Sequence, residues 1–137
     1  MKIKLDDGAY MPIREHPTDA GMDLRCREDM MLWKDGSAVF DTGVHVQLPH
    51  GWHGQVVGRS GLNINDGIVC LQGTIDESYT GSIVVKLYNL SGKCYRIRKG
   101  DKVAQLVIIP YAAPELELVD ELEETERGDA GFGSTGR

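Results

Sequence analysis

The chain has 137 residues, of which 41% are hydrophobic and 26% charged, with a formal net charge of −6. That suffices for one domain with a real core and not for several. No apolar stretch approaches the roughly 18 residues of a membrane span, and the opening MKIKLDDGAY lacks the apolar core of a signal peptide, so a soluble, cytoplasmic protein without membrane contact is expected. Seven acids and no base lie between Glu115 and Glu126, which leaves the body near neutral and excludes the broad basic face of a nucleic-acid binder.

Seventeen glycines, well above the usual roughly 7%, punctuate short runs rich in Val, Ile and Leu, while helical periodicity is nearly absent. The pattern is all-β, of the sandwich or jelly-roll kind. In chain order, AGMDLR (20–25) reads as a strand in which alternation sets Asp23 opposite Met22 and Leu24, a surface carboxylate by default. GVHVQL (43–48) alternates Val44, Val46 and Leu48 with His45 and Gln47. His50 and His53 in PHGWHG occupy a Pro-Gly turn without further ligands, which fits surface residues better than a metal pair.

VGRSGLN (57–63) gathers Arg59, Ser60 and Gly61 at a strand end, and a turn of helix fits within GRSGLNIND. Arginine forks onto phosphate oxygens, a hydroxyl donates, and glycine lets a backbone N–H approach an anion; a plain strand-to-turn junction uses the same residues. GTIDESYTG (73–81), between GIVCLQ and SIVVKLYNL, reads as a hairpin whose mouth holds Asp76, Glu77, Ser78 and Tyr79. Turn chemistry alone accounts for such residues. Chemically, the same mouth offers unpaired backbone groups to a base, a carboxylate to polarise water, and an aromatic ring to lie on a sugar.

RKGDKVAQL (98–106) has a Gly-Asp turn opening the strand KVAQLVIIP (102–110), with Gln105 as a polar side chain near a site or an exposed strand residue. A last strand is expected near Leu116 to Val119. The domain then covers 1–119, with an acidic linker and glycine-rich arm over 120–137. Cys26, Cys70 and Cys94 are too widely spaced for a C-x-x-C zinc site and odd in number, which fits reduced thiols.

The terminal RGDAGFGSTGR (127–137) contains two decoys. Gly131, Gly133 and Gly136 fit G-x-G-x-x-G, but no helix or acidic residue follows, and Arg127-Gly128-Asp129 is a tripeptide that recurs by chance. From Val119 to Phe132 an extended chain at about 3.3 Å per residue spans about 40 Å, against a radius of gyration near 14 Å for a domain of this size. Such an arm can leave its own subunit.

Taken in order, AGMDL, GRSGL, GTIDESYTG, RKGDKVAQL and RGDAGFGSTG resemble the five motifs of the trimeric deoxyuridine triphosphate nucleotidohydrolases (dUTPases), a match spanning residues 20–136. Met22, Gly58, Asn63 and Asp129-Ala130 depart from the usual pattern. The resemblance implies a jelly-roll homotrimer of the β-clip type with three shared active sites that hydrolyse dUTP to dUMP and pyrophosphate, limiting uracil in DNA and supplying dUMP for thymidylate synthesis. It implies Asp76 as the base activating water. Arg59, Ser60 and Gly61 would hold the triphosphate with Gln105 nearby, and Mg²⁺ would bridge phosphate oxygens with its waters reaching Asp23. Backbone groups of Gly73, Thr74 and Ile75 would read uracil, Tyr79 would pack on deoxyribose, and Arg127, Phe132, Gly133, Ser134 and Thr135 would close as a lid. Two rival readings remain: a dUTP-binding regulator, and a dCTP deaminase, whose water-activating glutamate has no counterpart in GSIVVKL, where Lys86 stands instead.

Overall fold

The computed structural model describes residues 1–131. Ten strands and one short helix follow in order: β1 (Lys2–Leu5), β2 (Gly21–Arg25), β3 (Met30–Leu32), β4 (Ser37–Gln47), β5 (Trp52–Val57), α1 (Ser60–Asp66), β6 (Ile68–Cys70), β7 (Gly73–Ile75), β8 (Ser82–Asn89), β9 (Tyr95–Ile97) and β10 (Lys102–Pro110). They form one four-stranded sheet in the order β1-β4-β8-β6, a second in the order β2-β10-β5-β7, and a small β3-β9 pair. All the strand pairings are antiparallel, and the fold is the all-β jelly roll expected from the sequence.

Strand alternation fills the core. On β8, Ile83, Val85 and Leu87 point inward and are fully buried, while Val84, Lys86 and Tyr88 occupy the opposite face. Leu24, Leu106, Val56, Val44 and Val46 join them from β2, β10, β5 and β4. One buried polar side chain fastens the loops: the Asn89 amide nitrogen lies 3.0, 3.1 and 2.7 Å from the carbonyls of Leu32, Trp33 and Lys93, and its oxygen accepts from Ser91. A buried amide so fully bonded recovers its desolvation cost.

The hairpin expected around GTIDESYTG is present: its flanking runs form β6 and β8, which pair antiparallel from Ile68 opposite Asn89 to Cys70 opposite Leu87. Its mouth does more than turn, because β7 leaves this pair to join β5 in the other sheet before the chain returns to β8. The structure corrects one expectation, a strand at 116–119; β10 ends at Pro110, and residues 112–130 are exposed, with Leu116 at 97% and Leu118 at 100%. Among the described residues no strand pairs with this segment to supply ladder bonds. Cys26 and Cys70 are buried free thiols and Cys94 is exposed; burial pushes the Cys70 thiol up to about 11.

Candidate active site

Four of the sequence segments singled out above converge on a single sheet. In the order β2-β10-β5-β7, AGMDL supplies β2, RKGDKVAQL enters β10, GRSGL follows β5, and GTIDESYTG begins with β7. Asp23 and Gln105 are direct cross-strand partners, and Gln105 faces Val57 on its other side, two residues before Arg59.

The centre of this arrangement is Asp23, which is only 3% exposed. Reading it as a surface residue fails because β2 is covered on both faces and along both edges. The Asp23 N–H donates to the Ile13 carbonyl at 2.8 Å. Its Oδ2 lies 2.7 Å from Lys102 Nζ, while Oδ1 lies 3.2 Å from both Arg59 Nε and Gln105 Nε2. Burial alone pushes the Asp23 carboxyl up, but Lys102, Gln105 and Arg59 together outweigh it and hold the group below its ordinary value. Lys102 also pairs with Glu15 at 2.8 Å, and Asp23 followed by Glu15 pushes its ammonium up.

Lys102 was not singled out from sequence, and a strand irregularity explains why. Simple alternation puts residues 102 and 105 on opposite faces. The register of β10 against β2 shifts between Lys102 and Ala104, and Val103 and Ala104 are both buried. The extra residue of this bulge turns Lys102 onto the face shared by Gln105 and Asp23. Gly21 completes the fit, because a Cβ there would stand 3.0 Å from Gln105 Cδ and Oε1.

Arg59 precedes α1 in extended conformation (φ −92°, ψ 131°) and Ser60 is the helix's first residue, exposed. The Arg59 Nε is buried and makes no well-aligned hydrogen bond, only its ion pair with Asp23. Arg59, Gly61, Lys102 and Arg25 line an open cleft of about 460 Å³. A Cβ on Gly61 would meet nothing within 4 Å, so glycine leaves room there for something outside the chain. Gly58, the departure beside Arg59, has no left-handed backbone, and a Cβ on it would make ordinary contact with Cys70 at 3.4 Å.

The second cleft, about 260 Å³, is lined by Gly73, Thr74, Ile75, Asp76, Tyr79, Ser82 and Val84. β7 is the edge of its sheet, so its far side presents backbone donors and acceptors not used by β5. The Tyr79 N–H closes the turn onto the Asp76 carbonyl at 3.0 Å, and the Tyr79 hydroxyl donates to the Ser82 carbonyl at 3.0 Å. Its ring lies across Gly81, where any Cβ would collide with it. Asp76 is exposed and is the one carboxylate lining this cleft among the described residues.

The two clefts share no lining residue. Arg127 lines neither; it sits on the arm with Nε donating to the Ala130 carbonyl at 2.8 Å. Phe132, Gly133, Ser134 and Thr135 lie outside the described residues. His50 and His53 diverge, the first 3.0 Å from Glu77 and the second edge-on to Tyr111 at 5.9 Å.

The dUTPase family model matches residues 7–136. The chain belongs to the dUTPase family. It is 40% identical over 133 residues to the deoxyuridine 5'-triphosphate nucleotidohydrolase of Paramecium bursaria Chlorella virus 1, covering 97% of this chain and 94% of the relative. Against the Mus musculus protein of the same name it is 37% identical over 135 residues, covering 98% and 83%. Among solved structures, a mutant Staphylococcus bacteriophage 80alpha dUTPase with dUpNHpp superposes with a TM-score of 0.90 at 35% identity, covering 99% of this chain and 98% of that one. A mutant dUTPase from phage phi11 of S. aureus, described as coordinating a structural Mg(II) ion, superposes with a TM-score of 0.82 at 33% identity, covering 90% and 98%.

As a dUTPase fold, the chain offers little to a bare metal ion: no group of three His, Cys, Asp or Glu side chains is gathered among the described residues. Asp23 Oδ1 already faces two donors and Oδ2 faces Lys102. A carboxylate has about four acceptor positions, so what remains suits one metal-bound water. The residues fit an ion carried by a polyphosphate, whose oxygens fill its inner shell.

Proposed function

We propose that this chain hydrolyses dUTP to dUMP and pyrophosphate with Mg²⁺, in a homotrimer whose active sites are shared between subunits. Family membership supports the reaction, and the observation that carries the shared site is the division of one chain into two clefts. One gathers Arg25, Arg59 and Lys102, cations suited to a triphosphate, with Asp66 and Asp101 also in its lining; the other has the exposed Asp76 carboxylate and an open strand edge but no arginine or lysine in its lining. A neighbouring copy would bring the first against the second.

In this reading Arg59, Lys102, the Ser60 hydroxyl and the Gly61 N–H hold the phosphates, with Gln105 and Asp23 fixing the cations in place. Mg²⁺ bound to the phosphates would neutralise charge developing on the leaving pyrophosphate, and Asp23 would accept a hydrogen bond from one of its waters. Asp76 orients a water and takes its proton as the water oxygen bonds to the α-phosphorus. The bond from that phosphorus to the bridging oxygen breaks, and pyrophosphate leaves with its electron pair.

Selectivity follows from the strand edge. Backbone groups of Gly73, Thr74 and Ile75 complement uracil's donor at N3 and its flanking acceptors, whereas cytosine presents the opposite pattern at position 4; a buried mismatch of this kind discriminates by about 10⁴ or more. Tyr79, held flat on Gly81, packs on the deoxyribose and leaves no space for a 2′-hydroxyl. Arg127, Phe132, Gly133, Ser134 and Thr135 form the lid, with Phe132 over the base and the rest at the γ-phosphate.

The deciding experiment incubates the protein with Mg²⁺ and each deoxynucleoside triphosphate in turn. Expected are dUMP and pyrophosphate from dUTP, little product from dCTP or dTTP, and loss of turnover with retained folding in Asp76→Asn. Ammonia released from dCTP would replace this reading with deamination, and tight dUTP binding without products would leave a regulator.

A further inference from the structure

Glu77 follows Asp76 directly, and the reaction described above gives it no role. Yet its carboxylate is bound on both oxygens by a single distant turn. Oε2 accepts the Gly51 N–H at 2.8 Å, and Oε1 lies 3.0 Å from His50 Nδ1. Gly51 has φ 79°, a left-handed conformation that a side chain resists. The same residue continues the chain of contacts, because the Gly51 carbonyl accepts the Tyr111 N–H at 3.0 Å. Glu77 thereby ties the segment after β7 to the residue where the chain leaves β10.

The two Glu77 partners are unequal. The His50 side chain is 97% exposed, so water screens its contribution. The Gly51 N–H belongs to a folded turn and cannot swing away, which makes it the anchor. His50, then Gly51, then the facing Tyr111 hydroxyl hold the Glu77 carboxyl below its ordinary value, so it remains the acceptor this geometry needs.

The turn carrying Asp76 needs such an anchor. It crosses between sheets without a ladder partner of its own, and the Tyr79 N–H to Asp76 carbonyl bond only closes it on itself. Its far end is fastened separately: the Thr80 carbonyl lies 2.8 Å from His45 Nδ1, and the Ser82 hydroxyl donates to Asp41. At its near end, Glu77 makes the side-chain bonds that tie it to another part of the fold.

We infer that Glu77 is a positioning residue for Asp76: by fastening the turn to the Gly51 peptide, it sets the direction in which the neighbouring carboxylate aims its water. The inference rests on the proposed dUTP hydrolysis, and the test separates the two. Wild-type protein, Glu77→Ala, Glu77→Asp and Glu77→Gln are compared with Mg²⁺ and dUTP, measuring kcat, KM, trimer content and melting temperature. Alanine removes both acceptors, and aspartate keeps the charge but is one methylene short of Gly51. Glutamine keeps an oxygen for the Gly51 N–H, and its amide suits the other tautomer of His50.

Since small misplacements of a reacting group cost up to about 100-fold, kcat should fall about 30-fold in Glu77→Ala and Glu77→Asp with KM within about threefold. Glu77→Gln should recover kcat to within about threefold of wild type. An Asp variant as fast as wild type, a Gln variant as slow as Ala, or a loss confined to KM overturns the positioning role. If the Ala variant does not fold, the Asp and Gln variants decide. Wild-type protein that leaves dUTP intact overturns the proposed function instead, and is read before any variant.

Discussion

Lys102 and Asp23 stand 2.7 Å apart across two paired strands, although the lysine lies at the start of β10, where simple alternation turns it away. The bulge that brings them together makes a nearly buried carboxylate possible, with Arg59 and Gln105 on its other oxygen. Removing one partner of a buried pair costs about 3–5 kcal/mol because the survivor is left uncompensated. Here Lys102 keeps Glu15 and Arg59 is partly exposed, so Asp23→Asn should cost about 3 kcal/mol, at the low end of that range. Chemical denaturation of the two proteins measures it.

The same pair gives a pH dependence of definite sign. The folded Asp23 carboxyl lies below its ordinary value of 3.8, so the unfolded chain binds this proton first as pH falls. Its stabilisation is complete above the unfolded value and is lost as pH drops through the lower folded value. The stability difference between wild type and Asp23→Asn should therefore be level from neutral pH down to about pH 5 and shrink only below about pH 4. A gap that closes on the alkaline side instead would reject the ion-pair account.

Gly21 is required by a side chain on the next strand. A Cβ there would press on the Gln105 amide at 3.0 Å, and that amide is the one that donates to Asp23. Gly21→Ala should push the amide off the carboxylate and lower kcat/KM for dUTP by about tenfold, the equivalent of one hydrogen bond to a charged group. Circular dichroism should be unchanged, and the variant Gln105→Ala should show a loss of similar size that is not added to when the two are combined.

How far this arrangement was legible in the sequence depended on the range of the interaction concerned. Alternation in SIVVKLYN and the proline ending KVAQLVIIP follow from local rules, and β8 and β10 lie where those rules put them. The short helix after Arg59 also follows from its glycine-punctuated segment. What sequence missed was set by partners far along the chain. Asp23 is buried because Ile13, Lys102 and Arg59 cover it, Lys102 reaches it through a bulge, and β7, inside the hairpin that joins β6 to β8, pairs with β5 of the other sheet. Glu77 adjoined a motif residue and read as turn chemistry, since nothing local indicates that Gly51 lies beside it.

Tyr79 rests on Gly81, and the contact is close enough that a methyl group at that position displaces the ring. If the ring is the surface that bars a 2′-hydroxyl, Gly81→Ala should damage discrimination more than turnover. The ratio of kcat/KM for dUTP to that for UTP should fall about tenfold, equivalent to about 1.4 kcal/mol of differential binding in the transition state. Equal losses on both nucleotides would show that the glycine serves only the turn.

The arm separates into two parts that truncation can distinguish. Leu116 and Leu118 are almost wholly exposed, and Leu122 nearly so. Apolar side chains in a row this exposed gain from burial against another surface, about 25 cal/mol per Å² of apolar area covered. In the proposed trimer that surface belongs to a neighbour. Residues 127–130 are exposed, and Arg127 bonds only within its own turn among the described residues. Deleting 127–137 should therefore leave melting temperature and trimer content unchanged while turnover falls by at least about 100-fold, as expected when a closing segment that excludes water is lost. Deleting 112–137 should weaken the trimer as well, which sedimentation at micromolar concentration reads directly. Full activity in the shorter truncation would remove the lid from the mechanism, and an unaffected trimer in the longer one would remove the leucines from the interface.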